Sequence, residues 1–439
     1  MTKHPLLQMI KLQKKGTPVG IYSVCSANEF VIEAALERGK QTKSIVLIEA
    51  TSNQVNQYGG YTGMKPKDFM KFVEKIAKKV NFPMDRIILG GDHLGPLTWT
   101  HLDEKQAMKE ASKLIELYVL AGFTKIHIDT SMRVADDDQQ AMLSTEVIAR
   151  RGAELAEVAE KAYAKLKAKS PNALHPVFIV GSEVPIPGGA QEEEEGVAVT
   201  KVKDCQQTIN TFHEAFLSKD LKEAWNHVIA VVVQPGVEFG DSTVIEYDRK
   251  KARTLTKSLK AYKNLVFEGH STDYQTKIAL KEMVEDGIAI LKVGPGLTFA
   301  AREAMFALAN IEEALLKGTK TKPSKFIEVL EEVMLKNPGN WQKHYHGNAQ
   351  QLAFKRKYSF SDRCRYYLPN EKVQAALETL ITNINTIGIP YSLLSQYMPV
   401  QYTKVREGII PCTAEALIKD RIVNCMDEYL YATHQEKLG

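Results

Sequence analysis

Cysteine is scarce in this chain and badly spaced for cross-linking. Five residues, Cys25, Cys205, Cys364, Cys412 and Cys425, are scattered over 439 positions, with no CxxC pair. An odd, dispersed set excludes a disulfide framework and leads us to expect a reduced, cytoplasmic protein. Long apolar runs are missing too: none approaches the ~20 residues that a bilayer span needs. The stretch Met1–Gly20 has scattered lysines and no apolar core, so no secretion signal is expected. Charge of one sign is not in excess. The 57 Lys and Arg face 53 Asp and Glu, a formal net charge of +4, and no basic run is long enough to grip a polyanion, so neither nucleic acid nor a membrane is expected as a partner. A Walker A loop and a full GxGxxG are also absent. What remains is ordinary globular composition, 44% hydrophobic and 25% charged, which excludes a disordered or collagen-like chain.

The strongest positive signal is a rhythm. Short apolar runs rich in Val and Ile alternate with longer amphipathic segments. The runs are Pro18–Val24, Ser44–Glu49, Arg86–Gly91, Lys125–Asp129, Pro176–Gly181, Val228–Val233, Leu265–Glu268 and Gly287–Val293. Each is bounded by Gly, Pro or small polar residues, as strands buried on both faces should be. Helical patterns such as Phe69–Val80, Glu104–Leu120 and Glu146–Lys167 lie between them. Eight such units predict an α/β fold, a (β/α)8 barrel, over residues 1–318. The alternative, an open doubly wound sheet, would usually carry a glycine-rich turn after its first strand, and this chain has Ser23-Val24-Cys25-Ser26 there. A charged, breaker-containing stretch at 317–323 reads as a linker, and residues 319–439 read as a helical extension packed on the barrel. The acidic run Gln191–Glu195 reads as a solvated loop.

In such barrels chemistry sits at the carboxyl ends of the strands. Here those ends carry Glu49 with Asn53 beyond it, Asp92-His93, His127 and Asp129, Glu183, Gln234, Glu268 and His270-Ser271-Thr272, and Gly294-Pro295-Gly296. So many acids, imidazoles and amides converging on one mouth point to a site. His93 and His270 face each other from different strand ends, and two imidazoles with oxygen ligands suit zinc, manganese or cobalt. Asp92 beside a metal is a natural general acid/base, the plain alternative being a structural carboxylate. His127 and Asp129 share one face of a strand, so one of them could equally be a polar barrel-core residue. Glu183 stands where a ligand or base would. Lys125 and Lys292 fit Schiff-base lysines or, more simply, salt-bridge partners. Ser271, Thr272 and Gly294, in the loops after the last two strands, suit a phosphate; a tight turn is the alternative.

Several of these segments resemble one family closely. Leu47–Gln57 with Gly59–Gly63, Ile88–Pro96, Glu183–Gly189, Glu268–Gln275, Leu291–Pro295 and Ser361–Tyr367 are similar to the Z subunits of class II tagatose-1,6-bisphosphate aldolase, and the resemblance runs from near residue 20 to near residue 400. That family is distantly similar to the zinc-dependent class II aldolases. The resemblance implies Asp92, Asp129 and Glu183 in catalytic roles, His93, His270 and Gln234 as metal ligands, and Glu49, Asn53, Ser271, Thr272, Gly294, Arg363 and Arg365 around the substrate and its phosphate. One departure stands out. The aldolases' remaining metal histidine should fall at the end of the sixth strand, where this chain has Gln234-Pro235-Gly236. A carboxamide is a weaker zinc ligand than an imidazole. Loose metal binding, a harder ion or lost aldolase activity would each follow.

Two functions are implied. One is a metal-dependent C4-epimerase interconverting tagatose 6-phosphate and fructose 6-phosphate by retro-aldol chemistry, with a divalent metal (zinc or manganese) as cofactor. The other is a non-catalytic accessory subunit that stabilises a class II aldolase Y subunit. A sugar isomerase is a more distant third. A homo-oligomer is expected in either main case.

Overall fold

The computed structural model describes residues 4–182 and 197–438. Eight parallel strands close into a barrel: Ile21–Cys25 (strand 1), Val46–Thr51 (2), Ile87–Leu94 (3), Lys125–Ile128 (4), Val177–Val180 (5), Val228–Val233 (6), Val266–Gly269 (7) and Ile288–Val293 (8). Each apolar run of the sequence became one of them. Closure is direct, because strand 1 pairs with strand 8 from Ile21 opposite Ile290 to Val24 opposite Val293. That pairing excludes the open sheet. The strands are buried on both faces, by barrel contents inside and by helices such as Glu29–Thr42, Glu104–Leu120, Thr145–Lys169 and Pro295–Leu316 outside. The acidic run 191–195 and Glu183 lie outside the described residues.

Three features went beyond the alternating pattern. A helix at Pro5–Lys14 plugs the amino-terminal end of the barrel, where Leu6, Met9 and Ile10 join Ile21, Leu47, Ile179, Ile229 and Ile290 in a separate apolar cluster. A two-stranded ribbon, Glu238–Phe239 with Val244–Ile245, follows strand 6. The carboxyl-terminal region is helical, and its last long helix, Ala414–Thr433, lies against helices Glu29–Thr42, Lys277–Glu285 and Pro295–Leu316 and reaches strand 1. It is fastened near its carboxyl-terminal end. Tyr429 donates its hydroxyl to the Thr272 carbonyl at 2.7 Å, and its ring centroid lies 5.5 Å from that of Tyr22. Gln435 donates to the Ile45 carbonyl at 2.8 Å and accepts from the Tyr22 amide at 3.2 Å. No helix among the described residues is long and apolar enough to cross a membrane.

The segment before that helix reaches over the barrel mouth. Ser359 donates to Asp241 Oδ1 at 2.6 Å, the Phe360 amide to the Asp241 carbonyl at 2.8 Å, and Thr298 Oγ1 to Asp362 Oδ2 at 2.5 Å. These bonds fix residues 359–367, and with them Arg365, relative to the strand ends.

The plug helix carries a pH liability. His4 is 3% exposed and caps the helix, its Nδ1 accepting from the Leu6 amide at 3.2 Å. Burial pushes its imidazole down to about 3, a hydrogen bond at the Thr124 backbone opposing and His227 and His175 adding to the fall. The fold therefore holds His4 neutral, and its contribution is complete above the ordinary value of 6.5. As pH falls below that, stability is lost at about 1.4 kcal/mol per unit. Asparagine keeps a capping acceptor without titrating. His4→Asn is therefore expected to lose less Tm than the parent between pH 6.5 and 4 in thermal melts; equal losses would show that His4 does not set the slope.

Candidate active site

The site is built where strands 2, 3, 4, 7 and 8 end. Strand 3 runs through Gly90-Gly91 into Asp92 and His93. Glycine is needed at 90 because a Cβ there would stand 2.7 Å from Glu49 Cγ. Gly95 is stricter still: its Cβ would come within 1.7 Å of the Asp129 carbonyl oxygen, so only glycine lets the chain leave strand 3 against strand 4. His93 and Ser271 both take left-handed backbone angles, with φ of 49° and 53°. Strain of that kind at two strand ends is held in place by the surrounding packing.

Three imidazoles meet here. The ring centroids of His93, His127 and His270 are 5.0, 5.0 and 5.1 Å apart, a nearly equilateral triangle. Each ring has one nitrogen engaged by a carboxylate. His93 Nδ1 is 2.8 Å from Asp129 Oδ2, His127 Nδ1 is 2.9 Å from Asp92 Oδ1, and His270 Nε2 is 2.9 Å from Glu268 Oε1. Carboxylates behind imidazoles are the usual outer layer of a metal site, fixing ring orientation and raising basicity. His93 Nε2 lies 3.9 Å from Asp92 Oδ2. His127 Nε2 is buried without a hydrogen-bond partner, a condition that costs free energy unless something completes it. Potential ligand atoms of Asp92, His93, His127 and His270 all lie within 4.8 Å of one another.

Beneath the triangle lies a buried ion network. Lys125 Nζ, fully buried, is 2.6 Å from Glu49 Oε1 and 2.8 Å from Glu268 Oε2. Lys292 Nζ contacts Glu49 Oε2 and lies 2.8 Å from Asp92 Oδ1. Burial alone would push Asp92 up, yet His93, Lys292 and His127 together hold it well below the usual carboxylate range. Glu268 is likewise held well below its range, by Lys125 and Lys292 against its burial. Asp129 is held near 2, desolvation being outweighed by its hydrogen bonds to His93 and Ser131 together with the charges of His93 and His127. Burial brings His270 down to about 4, so that ring is neutral. Both lysines are raised despite burial, Lys125 by Glu268 and Glu49, Lys292 by Asp92 and Cys25 above all. Four carboxylates (Glu49, Asp92, Asp129, Glu268) against two ammoniums leave two surplus negative charges. The same surplus raises His93, Asp92 and Asp129 overcoming its burial. A divalent cation among three imidazoles satisfies both the charge surplus and the unpartnered His127 nitrogen, so the residues fit such an ion.

The cavity above is lined by Cys25, Asn53, Tyr61, Asp92, His93, Phe239, His270, Ser271, Asp273, Lys292, Gly294 and Arg365, among others. Most residues anticipated from the sequence thus converge. Glu49 and Asp129 stand directly behind the wall, in the ion network and on His93. Three others stand apart from the lining. Gln234 is committed to its own turn, its Oε1 accepting from the Gly236 and Val237 amides at 2.8 and 3.0 Å. Thr272 is fully buried and gives its hydroxyl to the Lys292 carbonyl at 2.7 Å. Arg363 is buried to the side, donating to the Asn340 carbonyl at 3.0 Å. The third imidazole is instead His127, which the sequence left between site and core. Asp273 and Tyr61 were passed over. The metal assignment is testable by calorimetry on protein stripped with a chelator. One divalent ion per chain is expected, with His127→Ala weakening it more than about tenfold and Gln234→Ala leaving it unchanged; the reverse pattern would move the ligand set to strand 6.

Residues 6–434 match the family described as D-tagatose-1,6-bisphosphate aldolase subunit GatZ/KbaZ-like. A solved structure from Sinorhizobium meliloti 1021, described as a probable tagatose 6 phosphate kinase, is 43% identical, with a TM-score of 0.85 over 94% of this chain and 100% of its own. Fructose-bisphosphate aldolase from Campylobacter jejuni is 15% identical, with a TM-score of 0.43 over 88% of this chain and 94% of its own. The YdjI aldolase from Escherichia coli K12 is 11% identical, with a TM-score of 0.41 over 84% and 96%. By the extent of the family match and the identity to the Sinorhizobium protein, the chain belongs to the GatZ/KbaZ-like family of D-tagatose-1,6-bisphosphate aldolase subunits.

Proposed function

We propose that the chain is a metal-dependent 4-epimerase of ketohexose 6-phosphates, interconverting tagatose 6-phosphate and fructose 6-phosphate. The observation that carries this reading is the triangle of His93, His127 and His270 set over an ionised Asp92, at the base of a cavity that ends in Arg365. Three imidazoles with a carboxylate nearby suit zinc or manganese. When bound, the ion supplies Lewis-acid stabilisation of the negative charge that develops on the substrate's keto side.

The protein's own groups do the rest. Asp92 removes the proton from the C4 hydroxyl. The C3–C4 bond breaks, its electron pair moving to the C2–C3 side, and C4 becomes the aldehyde carbon of glyceraldehyde 3-phosphate. The aldehyde turns over its face, the bond re-forms, and Asp92 returns the proton to the new C4 oxygen. No atom is gained or lost. The neighbours of Asp92 keep it in the ionised form that accepts the C4 proton. Lys292 on Oδ1 fixes the carboxylate and maintains its charge. Arg365, held by the Asp362 carbonyl and the Tyr366 hydroxyl at 2.9 Å each, retains the aldehyde through its phosphate while the bond is open. Tyr61 and Tyr366, with ring centroids 4.8 Å apart, close the same side.

A second reading is an accessory subunit of a class II aldolase, which the family's description as a subunit favours. Retention of the whole ion network beneath the imidazoles supports catalysis over a decayed site. The deciding experiment follows tagatose 6-phosphate by NMR with the purified chain and Zn²⁺ or Mn²⁺. Fructose 6-phosphate is expected without a partner protein, and Asp92→Asn is expected to lose roughly 10²–10⁴ of the rate while keeping the metal. Full turnover by that variant would remove Asp92 from the chemistry. No turnover by the metal-loaded parent would favour the accessory role.

A further inference from the structure

Resting on the sugar-phosphate reading above, we propose that Asp273 limits the site to substrates with a single phosphate, by filling with its own carboxylate the berth where barrels of this kind seat a phosphate. That berth is customarily made by the loops after strands 7 and 8 and the helix that starts there. Here the helix is Pro295–Leu316, and its leading amides are taken: Asp273 Oδ1 accepts from Gly294 at 2.9 Å and from Gly296 at 2.8 Å. Asp273 is 3% exposed, yet it belongs to the cavity lining. Burial raises its carboxyl to about 6, with the two glycine amides and the charge of Arg365 pulling the other way. A phosphate dianion brought to this corner would find its donors consumed and a like charge in their place.

Arg365 is the reverse case, although it stands near enough to Asp273 for its charge to pull that carboxyl down. Arg365 lines the same cavity and donates to the Ser361 and Asp362 carbonyls and the Tyr366 hydroxyl, but no carboxylate among the described residues pairs with it. Behind it, Arg363 is 6% exposed with a buried Nε that has no partner. The other cation in the lining, Lys292, is spent on Glu49 and Asp92. Residues 183–196 contain no Lys, Arg or His. The cavity thus offers one berth for an anion. A ketose 6-phosphate satisfies it; a 1,6-bisphosphate sets its second dianion against Asp273.

Calorimetry and ³¹P NMR on the Zn²⁺-loaded protein test this with tagatose 6-phosphate, fructose 1,6-bisphosphate and inorganic phosphate. The parent is expected to bind the monophosphate about tenfold or more tighter than the bisphosphate. Asp273→Ser frees the two amides and should narrow that ratio about tenfold, through tighter bisphosphate and detectable inorganic phosphate binding. Asp273→Asn keeps the acceptor without the charge and should narrow it in the same direction. Arg365→Gln should weaken the monophosphate most. Equal or tighter bisphosphate binding by the parent overturns the proposal. So does an unchanged ratio in an Asp273→Ser variant that melts like the parent, or no binding of either sugar phosphate. Binding needs no turnover, so a monophosphate preference without epimerisation upholds the role of Asp273 and removes the epimerase reading. Epimerisation with equal affinity for both sugars does the opposite.

Discussion

Two lysines inside the barrel govern the rest of the site. Lys125 spans Glu49 and Glu268, and Lys292 spans Glu49 and Asp92, so strands 2, 3, 4, 7 and 8 are tied through one buried network. Such a network is an expensive way to fill a barrel. Removing ions from water costs several kcal/mol each, and apolar residues of similar volume often stabilise as well or better. The layer below, of Ile, Leu, Val and Met, shows that this barrel can be filled that way. The ions sit only in the layer beneath the imidazoles. Their effect there is specific: Glu268 turns His270, Asp92 turns His127, and Lys292 holds Asp92 ionised. Stability is exchanged for orientation and charge at one end of the barrel.

The surplus of negative charge follows from the same arrangement. Lys125 and Lys292 balance two carboxylates, and the remaining two face the triangle of rings. A site left with that surplus pulls a proton onto His93, as its raised pKa shows. That ring stands between Asp92 and Asp129, whereas burial leaves His270, in the same triangle, neutral. Nothing comparable arises at the amino-terminal end. His4, His175 and His227 lie there without a carboxylate cluster, and burial drives His4 neutral.

The barrel was legible because strands buried on both faces must be apolar throughout, and eight such runs at helix-length spacing leave little else to build. The mouth was legible because polar residues at strand ends break that rule. What was not legible depended on side-chain direction. His127 lies within strand 4, where an inward imidazole and a polar core residue give the same sequence pattern. Only the 2.9 Å contact with Asp92 and the bare Nε2 separate them. Gln234 was assigned by resemblance, but the proline and glycine that follow it fold the chain back so that its amide oxygen caps the turn. The helix at Pro5–Lys14 precedes the first strand and has no counterpart in the alternation; its apolar face makes sense only against the open end of a barrel.

Asp273 illustrates a different limit. Its loop reads like a phosphate loop, with hydroxyls before it and glycines across from it, and the sequence cannot say that the anion at those glycines is the protein's own. On the proposal that this corner is sealed, the positive charge for a substrate anion would come from outside the barrel, from Arg365 in the carboxyl-terminal region. That transfer sets a mechanical requirement. A misplacement of about 1 Å between a substrate's anchor and the reacting groups can cost two orders of magnitude in rate, so the region carrying Arg365 must be as firmly seated as a barrel loop. The fastenings answer to this: Asp362 to Thr298 at the start of the strand 8 helix, Asp241 to Ser359 and Phe360, and further on Tyr429 to Thr272, whose own hydroxyl holds the Lys292 carbonyl. The last link ends on Lys292 itself, a member of the ion network. The proposed anchor, Arg365, and the lysine beside Asp92 are therefore tied to strand 8 and to the helix that follows it.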